Sequence, residues 1–145
     1  MYVKQISIFV ENKLGRLAEI TDILGKNGIN IQAMSIADTT DFGILRLIVD
    51  APQAALLILK EHGLTVKETE VVAVMLGNKP GALADVLQKL VDNDISIEYI
   101  YDFAFAEHKE VGAATIVMRL GDQDAAVAKL KELGVNVIGA ADVQK

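Results

Sequence analysis

The chain has 145 residues, enough for one ordinary domain or two small ones sharing a core, and its composition of 52% hydrophobic and 23% charged residues is globular. Its net charge of −6 is spread along the sequence, with seven Lys/Arg against nine Asp/Glu in residues 1–70 and seven against eleven in 71–145, so no basic stripe for nucleic acid exists and the acidic surface does not suit anionic membranes. The absence of cysteine excludes disulfides, thiolate metal sites and cysteine nucleophiles.

In chain order, the opening MYVKQISIFV is too short and too interrupted for a signal-peptide core, and no apolar run could span a bilayer. A soluble cytoplasmic protein is expected. The first strand is predicted over residues 5–10. A helix follows over 15–27, with Leu17, Ile20 and Leu24 at helical spacing, and Asn27-Gly28 stops it because glycine accepts the left-handed conformation. Strands over 29–37 and 44–49 flank a polar turn, a helix over 52–62 ends at Gly63, and a strand over 65–69 closes the set. The same order then recurs: strand 71–76, helix 81–93 with Leu83, Val86, Leu87 and Leu90 at helical spacing, strands 95–105 and 113–119, helix 123–133 ending at Gly134, and strand 135–138. The fold class expected is α+β, two ferredoxin-like βαββαβ units, each an antiparallel sheet with both helices on one face. The boundary is placed near Glu70, giving 1–70 and 71–145. No linker rich in Gly, Pro or Ser intervenes, and from Thr65 to Leu76 the chain could run as nearly continuous strand.

An offset of 66 superposes the copies. Asn12-Lys13 falls on Asn78-Lys79, Gly15 on Gly81, Leu17-Ala18 on Leu83-Ala84, Leu24 on Leu90, Asn27 on Asn93, and Ile29 and Ile31 on Ile95 and Ile97. These are nine identities in the thirty-one positions from 6 to 36. In ISIEYIYDFAF, Ile95, Ile97, Tyr99, Tyr101, Phe103 and Phe105 alternate onto one side, while Ile100, Ala104 and Ala106 share the other with Ser96, Glu98 and Asp102. A strand apolar on both faces needs cover on both, supplied by pairing of the two copies or of two chains.

At both junctions, ENKLGRL and GNKPGAL, a strand ends, Asn appears, and a helix starts near Gly. The first N–H groups of a helix lack internal partners and carry partial positive charge. Glycine allows close approach to the backbone, and Pro80 suits a helix's first turn. Asn12 or Asn78 can cap the helix or turn its amide outward. Such parts make a compact site for a small carboxylate; they also make ordinary turns and caps.

On these residues the chain resembles tandem ACT domains, and the resemblance covers nearly its whole length. Asn78-Lys79-Pro80-Gly81-Ala82-Leu83 matches the family's Asn-x-Pro-Gly-x-Leu fully, and Asn12-Lys13-Leu14-Gly15-Arg16-Leu17 matches it except at Leu14, where proline is usual. The resemblance implies amino-acid binding where two domains meet and regulation of enzymes of amino-acid metabolism. In the serine-binding regulatory domain of phosphoglycerate dehydrogenase the loop Asn contacts the ligand, and a second Asn opening the next strand reaches it from the neighbouring domain. That second position is Asn30 here and Ser96 in the second copy. The His that precedes the loop Asn by two residues in that domain is replaced by Val10 and Leu76, so serine specificity does not carry over. Arg16, aligned with Ala82, could clamp a carboxylate or be a solvated charge.

Other candidates are weaker. Asp38 and Asp41 in IADTTDFG form too few oxygen ligands for a hard cation and read as a hairpin turn, with Asp38 or Phe42 able to line a pocket. Glu98 and Asp102 lack an accompanying nucleophile or metal cluster. His62 suits a helix end, and His108 lies in a turn. The strand aromatics lack the basic surround of an RNA-binding sheet. The expectation is a non-catalytic amino-acid-binding regulator, a homodimer acting on a metabolic enzyme, with no cofactor, metal, nucleic-acid or membrane partner. The alternative is an interaction module that kept the fold and lost the ligand.

Overall fold

The computed structural model describes residues 2–38, 41–103 and 112–144, with the backbone alone of Asp38. Its elements are β1 (Val3–Glu11), α1 (Arg16–Lys26), β2 (Ile31–Asp38), β3 (Phe42–Val49), α2 (Pro52–Glu61), β4 (Thr65–Gly77), α3 (Ala82–Asp92), β5 (Ile97–Asp102), β6 (Ala113–Leu120), α4 (Gln123–Glu132), β7 (Asn136–Ile138) and α5 (Ala140–Val143). The strands are hydrogen-bonded in the order β2-β3-β1-β4-β6-β5, with β7 also on β4, and every pair is antiparallel. The order is that of two βαββαβ-like units. Only the short α5 has no counterpart among the elements read from the sequence.

β4 joins the units as one 13-residue strand. Its Thr65-to-Val71 stretch pairs with β1, and Val72 to Gly77 with β6. The pairing partner changes beside Glu70 without a break in the strand.

Three cores follow from strand alternation. In the first unit Ile6, Ile8, Leu45, Leu47 and Val49 pack beneath Ile20 and Leu24 of α1 and Ala55 and Leu59 of α2. In the second, Val72, Val74, Met118 and Leu120 pack beneath Val86 and Leu90 of α3 and Ala126, Val127 and Leu130 of α4. The opposite faces of the two sheets meet each other through Val3, Ala33, Ile48, Val71, Ala73, Phe103, Val117 and Ile138. The bare face of each sheet is thus covered in part by the other unit of the same chain, with Phe9 at the end of that face 53% exposed.

The strand predicted over 95–105 differs from its expected alternation. β5 begins at Ile97 and its register shifts between Ile97 and Tyr99. This bulge reverses the facing, as an extra residue in a period-2 strand must. Ile95 and Ile97 therefore join the helix-side core, while Tyr101 and Phe103 pack in the inter-sheet seam. β2 carries the same shift between Ile31 and Ala33, so the bulge is repeated with the unit. Ala104, Phe105, Ala106 and His108 lie outside the described residues.

The seam is also polar. Gln5, fully buried, donates from Nε2 to the Tyr99 hydroxyl at 2.8 Å and accepts on Oε1 from the Tyr101 hydroxyl at 2.6 Å. The Arg46 guanidinium lies 3.8 Å from the Tyr99 ring centroid, a cation–π geometry. Tyr99 and Tyr101 stack at 6.4 Å. Tyr99, Tyr101 and Phe103 thus serve packing between units.

Candidate functional site

At each repeated junction a strand runs into a helix through a glycine in the left-handed region. Gly15 has φ 87° and Gly81 φ 84°, and each is the N-cap of its helix with no side-chain capping bond. Nothing would crowd a Cβ at either position, so it is the dihedral that selects glycine there. Neither Asn12 nor Asn78 is the cap. Their N–H groups bond instead to the carbonyls of Asp41 and Gly112, tying each junction to the neighbouring hairpin. Regular i−4 bonding begins with Glu19 to Gly15 in α1 and Asp85 to Gly81 in α3, both at 3.0 Å. The N–H groups of Leu17, Ala18, Leu83 and Ala84 precede that ladder and carry the positive end of the helix dipole.

A recess of about 200 Å³ adjoins the first junction, lined by Val10, Glu11, Asn12, Lys13, Arg16, Leu17, Ile36, Gly43 and Leu45. Lys13 pairs with Glu11 at 2.7 Å and Arg16 with Glu19 at 3.2 Å. The Lys13 hydrogen bond, then its charge, holds the Glu11 carboxyl below the usual range. Arg16 Nε is buried without a hydrogen-bond partner, while Nη1 pairs with Glu19 and the side chain as a whole is 34% exposed. Leu14, where the second copy has proline, is fully exposed. Phe42 is exposed and stands outside this lining.

The second junction has a larger recess of about 470 Å³. Lys79, Pro80, Gly81 and Ala82 line it together with Met75, Asp85, Lys89 and Asn136. Asp85 and Lys89 are paired at 2.9 Å, leaving Lys79 as the unpaired cation of the lining among the described ion pairs. Asn78 and Leu83 flank this recess and are exposed.

Asn30 and Ser96 belong to neither lining. Asn30 precedes β2, whose far end, Asp38, pairs beside the first junction, so at about 3.3 Å per residue they are roughly 25 Å apart along the strand. Asn30 N–H bonds Asp50 Oδ1 at 3.0 Å, and Ser96 O accepts from Gly121 N–H at 3.0 Å. Asp85 and Lys89 were readable from their i, i+4 spacing. Asn136 was not, because only the pairing of β7 with Met75 brings it to the recess.

Two of the remaining candidates, Glu98 and His62, take structural places. Glu98 pairs with Arg119 at 3.3 Å, and His62 Nδ1 lies 2.8 Å from Ile58 O at the end of α2. Among the described residues no group of three or more His, Cys, Asp or Glu could hold a metal ion, and no helix is long and apolar enough to cross a membrane.

The sequence profile of the ACT domain pair matches residues 1–140. The crystal structure of protein BT0572 from Bacteroides thetaiotaomicron is 43% identical, superposes with a TM-score of 0.91, and is matched over 99% of this chain and 96% of that one. The ligand-free regulatory subunit of aspartate kinase from Thermus thermophilus shares the fold at 19% identity and TM-score 0.63, over 90% of each chain. An arginine–tRNA ligase of Bartonella tribocorum is 35% identical over 91 residues, 62% of this chain, which spans only 13% of that ligase. With its repeated strand–helix junctions and the profile match over nearly its full length, the chain belongs to the ACT domain pair family.

Proposed function

We propose that this protein is a non-catalytic regulator that binds a small amino acid, with the ligand's α-carboxylate at the start of α1 or α3. The observation that carries this reading is the duplicated uncapped helix start: a left-handed glycine, no capping side chain, and a recess beside it, in both units. A carboxylate there meets N–H donors and the helix dipole together. We take the units to be 1–70 and 71–145.

The distance between Asn12 and Asn30 supports a homodimer as part of this reading. If Asn30 or Ser96 contacts a ligand, it does so at a junction of another chain, because its own junction is at the other end of its strand. Ligand binding across such an interface stabilises one arrangement over another, which is the differential affinity that regulation requires. The proposed partner is a metabolic enzyme, a reading supported by the fold shared with an aspartate kinase regulatory subunit.

The test is a thermal-shift screen against the twenty amino acids, with calorimetry on each hit. A ligand at 100 times its Kd adds about 2.7 kcal/mol to stability, and Asn12→Ala or Asn78→Ala lowers affinity at its own junction. Retained affinity in the double variant would reject both junctions. No shift with any amino acid, beside tight binding to a protein, would favour the interaction module instead.

A further inference from the structure

The last residues of the second unit reach across to the first. β7 ends at Ile138, and residues 139–144 then form a strap with its own internal bonds: Gly139 N–H to Asp142 Oδ2 at 2.9 Å and Gln144 N–H to Ala140 O at 2.7 Å. Gln144 is nine-tenths buried, and its amide replaces a missing strand. Its Oε1 accepts from Lys4 N–H at 2.8 Å, while Nε2 donates to Lys4 O at 2.7 Å and to Val49 O at 3.1 Å. These are ladder groups of β1 and β3 just beyond the point where those strands stop pairing, since their register begins at Ile6 and Leu47. Gln32 Nε2, at the β2 bulge, donates to Val143 O at 2.7 Å, and Val143 packs on the inter-sheet seam.

Upstream of the strap the chain touches the second recess. Gly134, Val135 and Asn136 line it, and Asn136 leads directly into β7. One short run of backbone therefore lines the second recess at its start and clasps the first unit's sheet at its end. β1, the clasped strand, runs from Lys4 to the first junction at Glu11.

We propose that the strap is the element through which the second recess is sensed by the first unit. In this proposal the docked strap exchanges with a released arrangement. Release breaks four hydrogen bonds to the first unit and withdraws Val143 from the seam. A group that displaces residues 134–136 shifts this equilibrium, because the strap follows three residues on. The coupling is carried by a local opening rather than by global unfolding. Its regulatory sense rests on the ligand reading above, whereas the coupling itself is testable without any amino acid.

The chain has no cysteine, so an Asn136→Cys variant offers one thiol at the second recess, and alkylation with iodoacetamide places a known group there. Amide hydrogen exchange at Lys4 is then compared with and without alkylation, in the Gln144 and the Gln144→Ala backgrounds. Alkylation is expected to speed exchange at Lys4 by about fivefold with Gln144 present and by less than about twofold without it. Should Gln144→Ala not fold, Gln32→Ala removes one strap bond, and the alkylation effect at Lys4 is expected to shrink there too. Altered exchange at residues 135–138 with none at Lys4 overturns the proposal. An equal response in both backgrounds, or an equal rise at the helix-core amides of Leu24 and Leu90, overturns it as well. A failed amino-acid screen bears on the ligand reading alone.

Discussion

The Tyr101 hydroxyl donates to Gln5 Oε1 at 2.6 Å across the seam between the two sheets, tying β5 of the second unit to β1 of the first. Burial raises the Tyr101 pKa above its ordinary value, so the phenol stays a neutral donor across the working pH range. Removing one partner of a buried bond leaves the other unsatisfied. Tyr101→Phe should therefore lower stability by about 1–2 kcal/mol in urea denaturation. A loss below about 0.5 kcal/mol would mean that water or Tyr99 replaces the donor.

Phe103 is the largest side chain buried in that seam, at 1% exposure. Phe103→Ala should cost about 3–5 kcal/mol, since truncating a buried aromatic removes transfer energy and opens a cavity. Val91 is 63% exposed on α3, and Val91→Ala should stay within about 0.5 kcal/mol of the parent. Similar losses for the two variants would contradict a seam core. Denaturant midpoints at constant m-value make the comparison.

These two variants mark what the sequence could and could not say. Helix positions and faces were legible because Ile20, Leu24, Val86 and Leu90 recur at the helical period, and that period is local. The facing of Ile97 against Tyr99 was not, because the bulge at Glu98 has no composition of its own and shows only in the register with β6. The junctions were legible as a repeat, but the left-handed backbone of Gly15 and Gly81 was not, since glycine reads there equally as room for close approach. Of the two roles read for Asn12 and Asn78, capping the helix or turning the amide outward, the first is taken by the glycines. Recess walls such as Ile36 and Asn136 come from strands distant in the chain, and spacing along one segment cannot reveal them.

The two units also differ at the exit of their first helices. Gly28 has φ 70°, and its counterpart Asp94 adopts φ 56°, the described non-glycine residue with positive φ. Asp tolerates the left-handed region better than most residues but still at a cost. Asp94→Gly should gain about 0.5–1 kcal/mol, read as a higher denaturation midpoint. A loss of stability would show that the Asp94 side chain contributes more than its backbone strain takes away.

Junction one should show a local acid titration. The Lys13 ammonium, by hydrogen bond and then by charge, holds the Glu11 carboxyl below its ordinary range. A carboxyl depressed in the folded state adds stability above its unfolded pKa, about 4.3 for Glu, and loses it as pH falls through the folded value. Carbon-detected NMR titration should find Glu11 still mostly ionised at about pH 4.3, the midpoint of an unperturbed glutamate. Lys13→Ala should return it toward the ordinary range. An unchanged titration in that variant would assign the depression to another group.

The central claim is that an amino-acid carboxylate sits on the uncapped helix starts. Nitrogen-15 NMR titration with the amino acid that gives the largest thermal shift reads this directly, at the amides of Leu17, Ala18, Leu83 and Ala84. Saturable downfield shifts are expected at Leu17 and Ala18, at Leu83 and Ala84, or at both pairs, reduced by Asn12→Ala or Asn78→Ala respectively. Saturable shifts confined to residues away from both junctions, with these four amides unmoved, would contradict the central claim.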